Sequence, residues 1–177
     1  MKDLWKLDTG SEAMPIPPEE IIDAHCDNLN ARTEGRVRAK IAAWDGPTAS
    51  YTRHEGISLA LLAFSSIGSP KKVDIQEELG DVGESHFAFE FYLTSPSTPN
   101  YKFRILFLVY RIGYYPLQLV MDDEIASEIG VGQNVTCENE DEFNQYLEKI
   151  LSSPKVAKVV TSLNHLALRE EQKKQAV

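Results

Sequence analysis

The chain has 177 residues, of which 42% are hydrophobic and 25% charged, a balance that suits one globular domain with a buried core and excludes wholesale disorder. Its 27 acidic and 18 basic side chains leave a formal charge of −9. Such a field repels a phosphate backbone and excludes a nucleic-acid binder built on phosphate neutralisation.

Residues 1–17 read as an arm ending in "MPIPP", whose prolines favour an extended approach. Pro18 opens a helix with Glu19 and Glu20 in its first turn, and Ile21, Ile22, His25, Cys26 and Leu29 recur at helical spacing until Gly35. The period then changes to two. Val37, Ala39, Ile41 and Ala43 alternate with Arg36, Arg38 and Lys40, which predicts a strand with one wet face. "ISLALLAF", residues 57–64, is a short apolar run between glycines and reads as a further strand. Residues 65–85 form a long polar connection or insertion. "HFAFEFYL" sets Phe87, Phe89, Phe91 and Leu93 on one strand face, and "SPSTPN" marks a hairpin after it.

"YKFRILFLVYRIGYYPLQLVM", residues 101–121, is the richest apolar stretch. Lys102, Arg104 and Arg111 interrupt it, so it falls short of the roughly 18 unbroken apolar residues of a membrane span. It divides at Gly113 into a central strand and a return strand. On strict alternation Phe103, Ile105, Phe107 and Val109 share one face of the first strand. Lys102, Arg104, Leu106, Leu108 and Tyr110 share the other. Asn139 with Glu142 three residues on is a capping signature, followed by the stripe Phe143, Tyr146, Leu147, Ile150 and Leu151. Ser153 and Pro154 start a last helix with Val156, Val159, Val160 and Leu163 inward, and 171–177 read as a frayed tail. The expected fold is therefore α+β: an antiparallel sheet of about five strands with an N-terminal helix and two C-terminal helices packed on one face, in a single domain over residues 18–170.

The chemistry-bearing residues are sparse. "IIDAHCDNL" echoes the Asp-x-His of metal-dependent hydrolases, but on a helix Asp23 and His25 point apart, and no further histidine cluster completes a metal set. The chain carries no Walker loop, no Gly-x-Gly-x-x-Gly and no Gly-x-Ser-x-Gly. No catalytic residue, metal or cofactor is assigned on this reading. A ligand site is assigned to Arg36, Arg38 and Lys40, joined by Arg104 if the two strands lie close, as a basic sheet face suited to a phosphate, nucleotide or acidic peptide. The alternative is a solvated face whose charges pair across strands. Leu106, Leu108, Tyr110, Tyr114 and Tyr115 form a candidate interface, because the apolar end of the uncovered face needs a second subunit, the arm or the 65–85 segment over it. A homodimer through that face is the expectation.

Three segments, "PPEEIIDAHCDNLNARTEGRVRAKI", "FAFEFYLTSPSTPNYKFRILFLVYRIGYYPLQLVM" and "DEFNQYLEKILSSPKVAKVVTSLNHLA", resemble a group of small bacterial α+β proteins of uncharacterised function. The residues that carry the resemblance are Pro96, Asn100, Tyr101, Tyr115, Pro116, Phe143, Leu147, Ser153 and Leu163. These are turn and packing positions, so the resemblance implies a fold and a bacterial cytosolic origin and transfers no catalytic residue. The N-terminal "MKDLWKLDTGSEAMP" lacks a signal peptide's apolar run, and two cysteines without a Cys-x-x-Cys make no disulfide framework, which also points to a reducing cytoplasm. The function expected is a non-enzymatic protein-interaction module, one that neutralises a basic partner such as a toxin, with no part for nucleic acid or membrane. The rival is a small-ligand or nucleotide-binding protein, or a minor enzyme, using the basic face.

Overall fold

Helix α1 (Pro18–Arg32) begins as expected, with Pro18 in the first turn beside Glu19 and Glu20, where no backbone donor is lost and the helix dipole favours acids. Ile22 and Cys26 are buried and Leu29 half-buried. Its end is a Schellman turn. Gly35 N–H donates to the Asn30 carbonyl at 2.9 Å and Glu34 N–H to the Ala31 carbonyl at 3.3 Å. Gly35 (φ 76°) and also Glu34 (φ 50°) sit in the left-handed region. Thr33 Oγ1, 2.9 Å from both the Leu29 and the Val37 carbonyl, ties this helix end to the strand that follows.

The computed structural model describes residues 16–46 and 86–175. The strand expected at 57–64, the 65–85 connection and the arm through residue 15 lie outside the described residues. Among the described residues five strands follow α1: β1 (Arg38–Ala43), β2 (His86–Ser95), β3 (Thr98–Arg111), β4 (Leu117–Met121) and β5 (Asn134–Cys137). They form one antiparallel sheet in the order β1-β2-β3-β4-β5. A short helix, α2 (Asp123–Ile129), connects β4 to β5, and α3 (Glu140–Leu151) and α4 (Pro154–Gln175) complete the chain. The α+β reading therefore holds, with α2 and β5 as elements the periodicity did not announce. Asp122 caps α2 by accepting from Glu124 N–H at 3.0 Å, and Gly130 (φ 74°) closes it. Helix α4 continues to Gln175, past residue 170 where the tail was expected.

One core joins the helices to one face of the sheet. Ile22 and Cys26 of α1, Phe143 and Ile150 of α3, and Val156 and Leu163 of α4 pack with Phe91, Leu93, Leu106 and Leu108. The hydrophobic effect makes this the principal stabilising layer. No helix among the described residues is long and apolar enough to cross a membrane.

The register of β3 differs from strict alternation. Phe91 pairs with Leu106, yet the next residue, Tyr92, pairs with Arg104, so Ile105 is an extra residue on β3. This is a β-bulge, and it reverses the facing of every side chain beyond it. Leu106, Leu108 and Tyr110 consequently lie under the helices together with Phe103 and Ile105. On the opposite face Lys102 and Arg104 are followed by Phe107, which clusters with Val120 and Trp44. Strand β3 is wet at its start and buried on both faces from Ile105 to Tyr110, as its composition suggested.

The caps of the last helices follow the sequence closely. Asn139 Oδ1 accepts from Glu142 N–H at 3.0 Å, while Glu142 Oε2 reaches back to Glu138 N–H at 2.9 Å. Asn139→Ala is expected to cost about 1 kcal/mol in urea unfolding. A loss no larger than that of the solvent-facing Asn144→Ala would show that this cap contributes nothing.

Candidate functional site

The outer face of β1, β2 and β3 is where the sequence placed its basic patch. Lys40 pairs with Tyr92, and Tyr92 with Arg104, so the three stand in one row across the sheet. Arg38 lies one pleat along, opposite Thr94. Three of the four ligand candidates, Arg38, Lys40 and Arg104, therefore share a face, and Lys102 joins them. Arg36 does not. It precedes β1, and its guanidinium binds Glu171 of α4 at 3.1 Å and Glu34 at 2.7 Å, away from that face. Strand alternation begins only at Arg38, because Arg36 belongs to the turn after α1, where its N–H donates to the Thr33 carbonyl at 3.0 Å.

The centre of the face is occupied by an acid. Glu90, only 2% exposed, accepts hydrogen bonds from Lys102 Nζ and from Arg104 Nε, the latter at 2.7 Å. Burial works to raise the Glu90 carboxyl, but these two hydrogen bonds and the accompanying positive charges outweigh it and hold the pKa below the ordinary glutamate range. The cations are also fixed by rings. Lys102 Nζ lies 4.0 Å from the Tyr92 ring centroid, and the Arg104 guanidinium lies 4.4 Å from that of Phe107. Glu90 is a site residue that the motif and charge patterns do not single out. Its signal was present in "HFAFEFYL", where it is the one acid at the outward positions Ala88, Glu90 and Tyr92.

Beside this paired centre, β1 is the edge strand among the described residues. A groove of about 350 Å³ runs along it, with Asp23, Asp27 and Asn30 of α1 on one side and Arg38, Lys40 and Tyr92 on the other. Asp23 and Asp27 are exposed and sit four apart, on one helix flank beside the buried stripe. Arg38 and Lys40 are exposed as well, and no described carboxylate pairs with them. Cys26 touches the groove but is 5% exposed, and burial first, then the charges of Asp23 and Asp27, push its thiol up to about 12. It is a packing residue, not a nucleophile. His25 is exposed on α1, and no group of three His, Cys, Asp or Glu among the described residues could hold a metal ion.

The residues assigned to an interface are placed elsewhere than expected. Leu106 and Leu108 are fully buried and Tyr110 is 2% exposed, all beneath the helices because of the bulge at Ile105. They offer no surface to a second subunit. Tyr110 Oη donates to Glu19 at 2.6 Å, and burial together with that bond raises its pKa. Its ring stacks on Phe89 at 5.9 Å and meets Tyr114 edge-on at 5.7 Å. Tyr114 (φ 66°) turns the chain into β4, and both it and Tyr115 are half-buried against the core. Burial, then the charge of Glu140, raises the Tyr115 hydroxyl to about 12. This aromatic group closes one end of the core.

No protein-family model matches this chain, and neither a curated protein nor a solved structure was found to be similar to it.

Proposed function

We propose that the protein is a protein-interaction module that holds a basic segment of a partner protein in the groove between α1 and β1. The observation that carries this reading is the pairing of a strand edge that no described residue covers with an acidic helix flank, Asp23 and Asp27, in one groove. An edge strand supplies main-chain hydrogen bonds to an extended peptide, and flanking charges select its sequence. The formal charge of −9 adds a long-range attraction for basic partners and speeds their encounter. A phosphate or nucleotide on the outer sheet face is the weaker reading. There Glu90 already engages Lys102 and Arg104, and Arg36 is held by Glu34 and Glu171, so an anion must displace carboxylates to gain those cations.

The test is the binding of a fluorescein-labelled octapeptide alternating Lys and Thr, measured by anisotropy. Binding that weakens with salt, and falls at least tenfold in Asp23→Asn/Asp27→Asn, is the expected result. Equal affinity in the double variant, or a thermal midpoint raised by nucleotides but not by the peptide, would refute the reading.

A further inference from the structure

Strand pairing dictates which backbone groups of β1 face the groove. Trp44 N–H donates to the Ala88 carbonyl at 2.8 Å, and the register that pairs Ala43 with Phe89 sets Trp44 opposite Ala88. In an antiparallel ladder, residues in such a bonded pair turn both polar groups toward the neighbour, and the residues between them turn both groups away. Ala42, Lys40 and Arg38 therefore bond to β2. Ala39, Ile41 and Ala43 direct their N–H and C=O groups away from β2, along an edge that no described residue pairs with. The side chains obey the same period. Ala39, Ile41 and Ala43 point to the α1 side, and Arg38, Lys40 and Ala42 to the outer side.

We propose that the partner segment adds to β1 as a further, antiparallel strand, and that its sequence alternates basic with acidic residues. This deepens the interaction-module reading and rests on it. Antiparallel addition is favoured because every existing pair in the sheet is antiparallel and such ladders are the more stable per residue. Partner residues set opposite Ala39, Ile41 and Ala43 exchange backbone hydrogen bonds with them and point to the α1 side, where Asp23 and Asp27 stand. Those are the basic positions. The intervening partner residues turn their polar groups to water and their side chains to the outer side, beside Arg38 and Lys40. Those are the acidic positions. A slip of two residues preserves the match, whereas a slip of one places like charges together on both sides of the seam. A second copy of β1 is a poor occupant for the same reason, since it brings carboxylates to carboxylates and cations to cations.

The experiment uses the full chain and octapeptides alternating Lys and Glu, with the Lys–Thr octapeptide as reference. Lys–Glu is expected to bind at least threefold more tightly than Lys–Thr, a gain that disappears in Arg38→Gln/Lys40→Gln. Backbone N-methylation at the four Lys positions is expected to weaken binding at least tenfold, and methylation at the four Glu positions by less than threefold. In amide exchange, Ala39, Ile41 and Ala43 become protected on binding. If the peptides bind through Asp23 and Asp27 but ignore N-methylation, strand addition is wrong and the interaction-module reading survives. Greater sensitivity at the Glu positions overturns the antiparallel orientation. If neither peptide binds, both proposals fall together.

Discussion

Phe107→Ala is expected to lose about 3–5 kcal/mol in chemical denaturation, the range for deleting a large buried aromatic ring. Phe107 is 2% exposed, on the face opposite the helices. Its ring meets Trp44 at 5.3 Å, packs with Val120 and carries the Arg104 guanidinium 4.4 Å above it. Truncation removes the apolar contacts and leaves a cavity the sheet backbone cannot close. It also strips the apolar support from a charged group that anchors Glu90. Tyr101 lies on the same strand but is 42% exposed, so Tyr101→Ala is the control and should cost under about 1 kcal/mol. Equal midpoint shifts for the two variants would contradict a β3 that is wet at its start and covered on both faces further on.

The second large effect centres on Glu90. Glu90→Gln is expected to cost about 2–3 kcal/mol at pH 7, somewhat below the loss from breaking a wholly buried ion pair. The discount reflects its partners, whose side chains are 45% (Lys102) and 32% (Arg104) exposed and retain access to water. The pH dependence has a definite sign. The folded carboxyl titrates below the ordinary value, so between the folded and the unfolded pKa the unfolded chain binds more protons. The stabilisation is complete above the unfolded value, about 4.3 for glutamate, and is lost as pH falls through the folded one. The stability gap between wild type and Glu90→Gln, followed by urea unfolding from pH 7 to pH 3, should therefore shrink toward zero. Lys102→Ala alone should cost less than about 1 kcal/mol, because Arg104 still satisfies the carboxylate. A gap that stays constant with pH would show that Glu90 is held by packing and not by its charge.

Much of the architecture was legible because different signals agreed. Phe87, Phe89, Phe91 and Leu93 alternate without interruption, and the inward stripes of α3 and α4 repeat at helical spacing with caps at Asn139 and Ser153. The bulge was not legible. Residues 105–110 are all apolar, so hydrophobic alternation is silent where the phase changes, and only pairing with β2 reveals the extra Ile105. That one residue separates a correct strand from a misplaced interface at Leu106, Leu108 and Tyr110. Strand β5 is four residues long and α2 seven, too short for either period to stand out. In the basic patch, Arg38, Lys40 and Arg104 were placed by alternation alone, whereas the fate of Arg36 depended on Glu171, 135 residues away. The groove is illegible in the sequence for a related reason. Its two walls, "DAHCD" (23–27) and "RAKIA" (38–42), lie close in sequence, yet nothing in either string tells which backbone groups of β1 face away from β2.

The two cysteines give the molecule an unusual chemical quietness. Cys137 is fully buried, and burial, then Glu142 and Glu138, push its thiol up to about 12, as burial and two aspartates do for Cys26. Burial and the neighbouring carboxylates keep both thiols neutral at pH 7 more completely than in an ordinary exposed cysteine. Alkylating agents and peroxides react with the thiolate, so the folded chain resists them and any fast modification reports unfolding. Thiol reactivity becomes a clock for opening of the core, readable at the two native cysteines with no engineered probe.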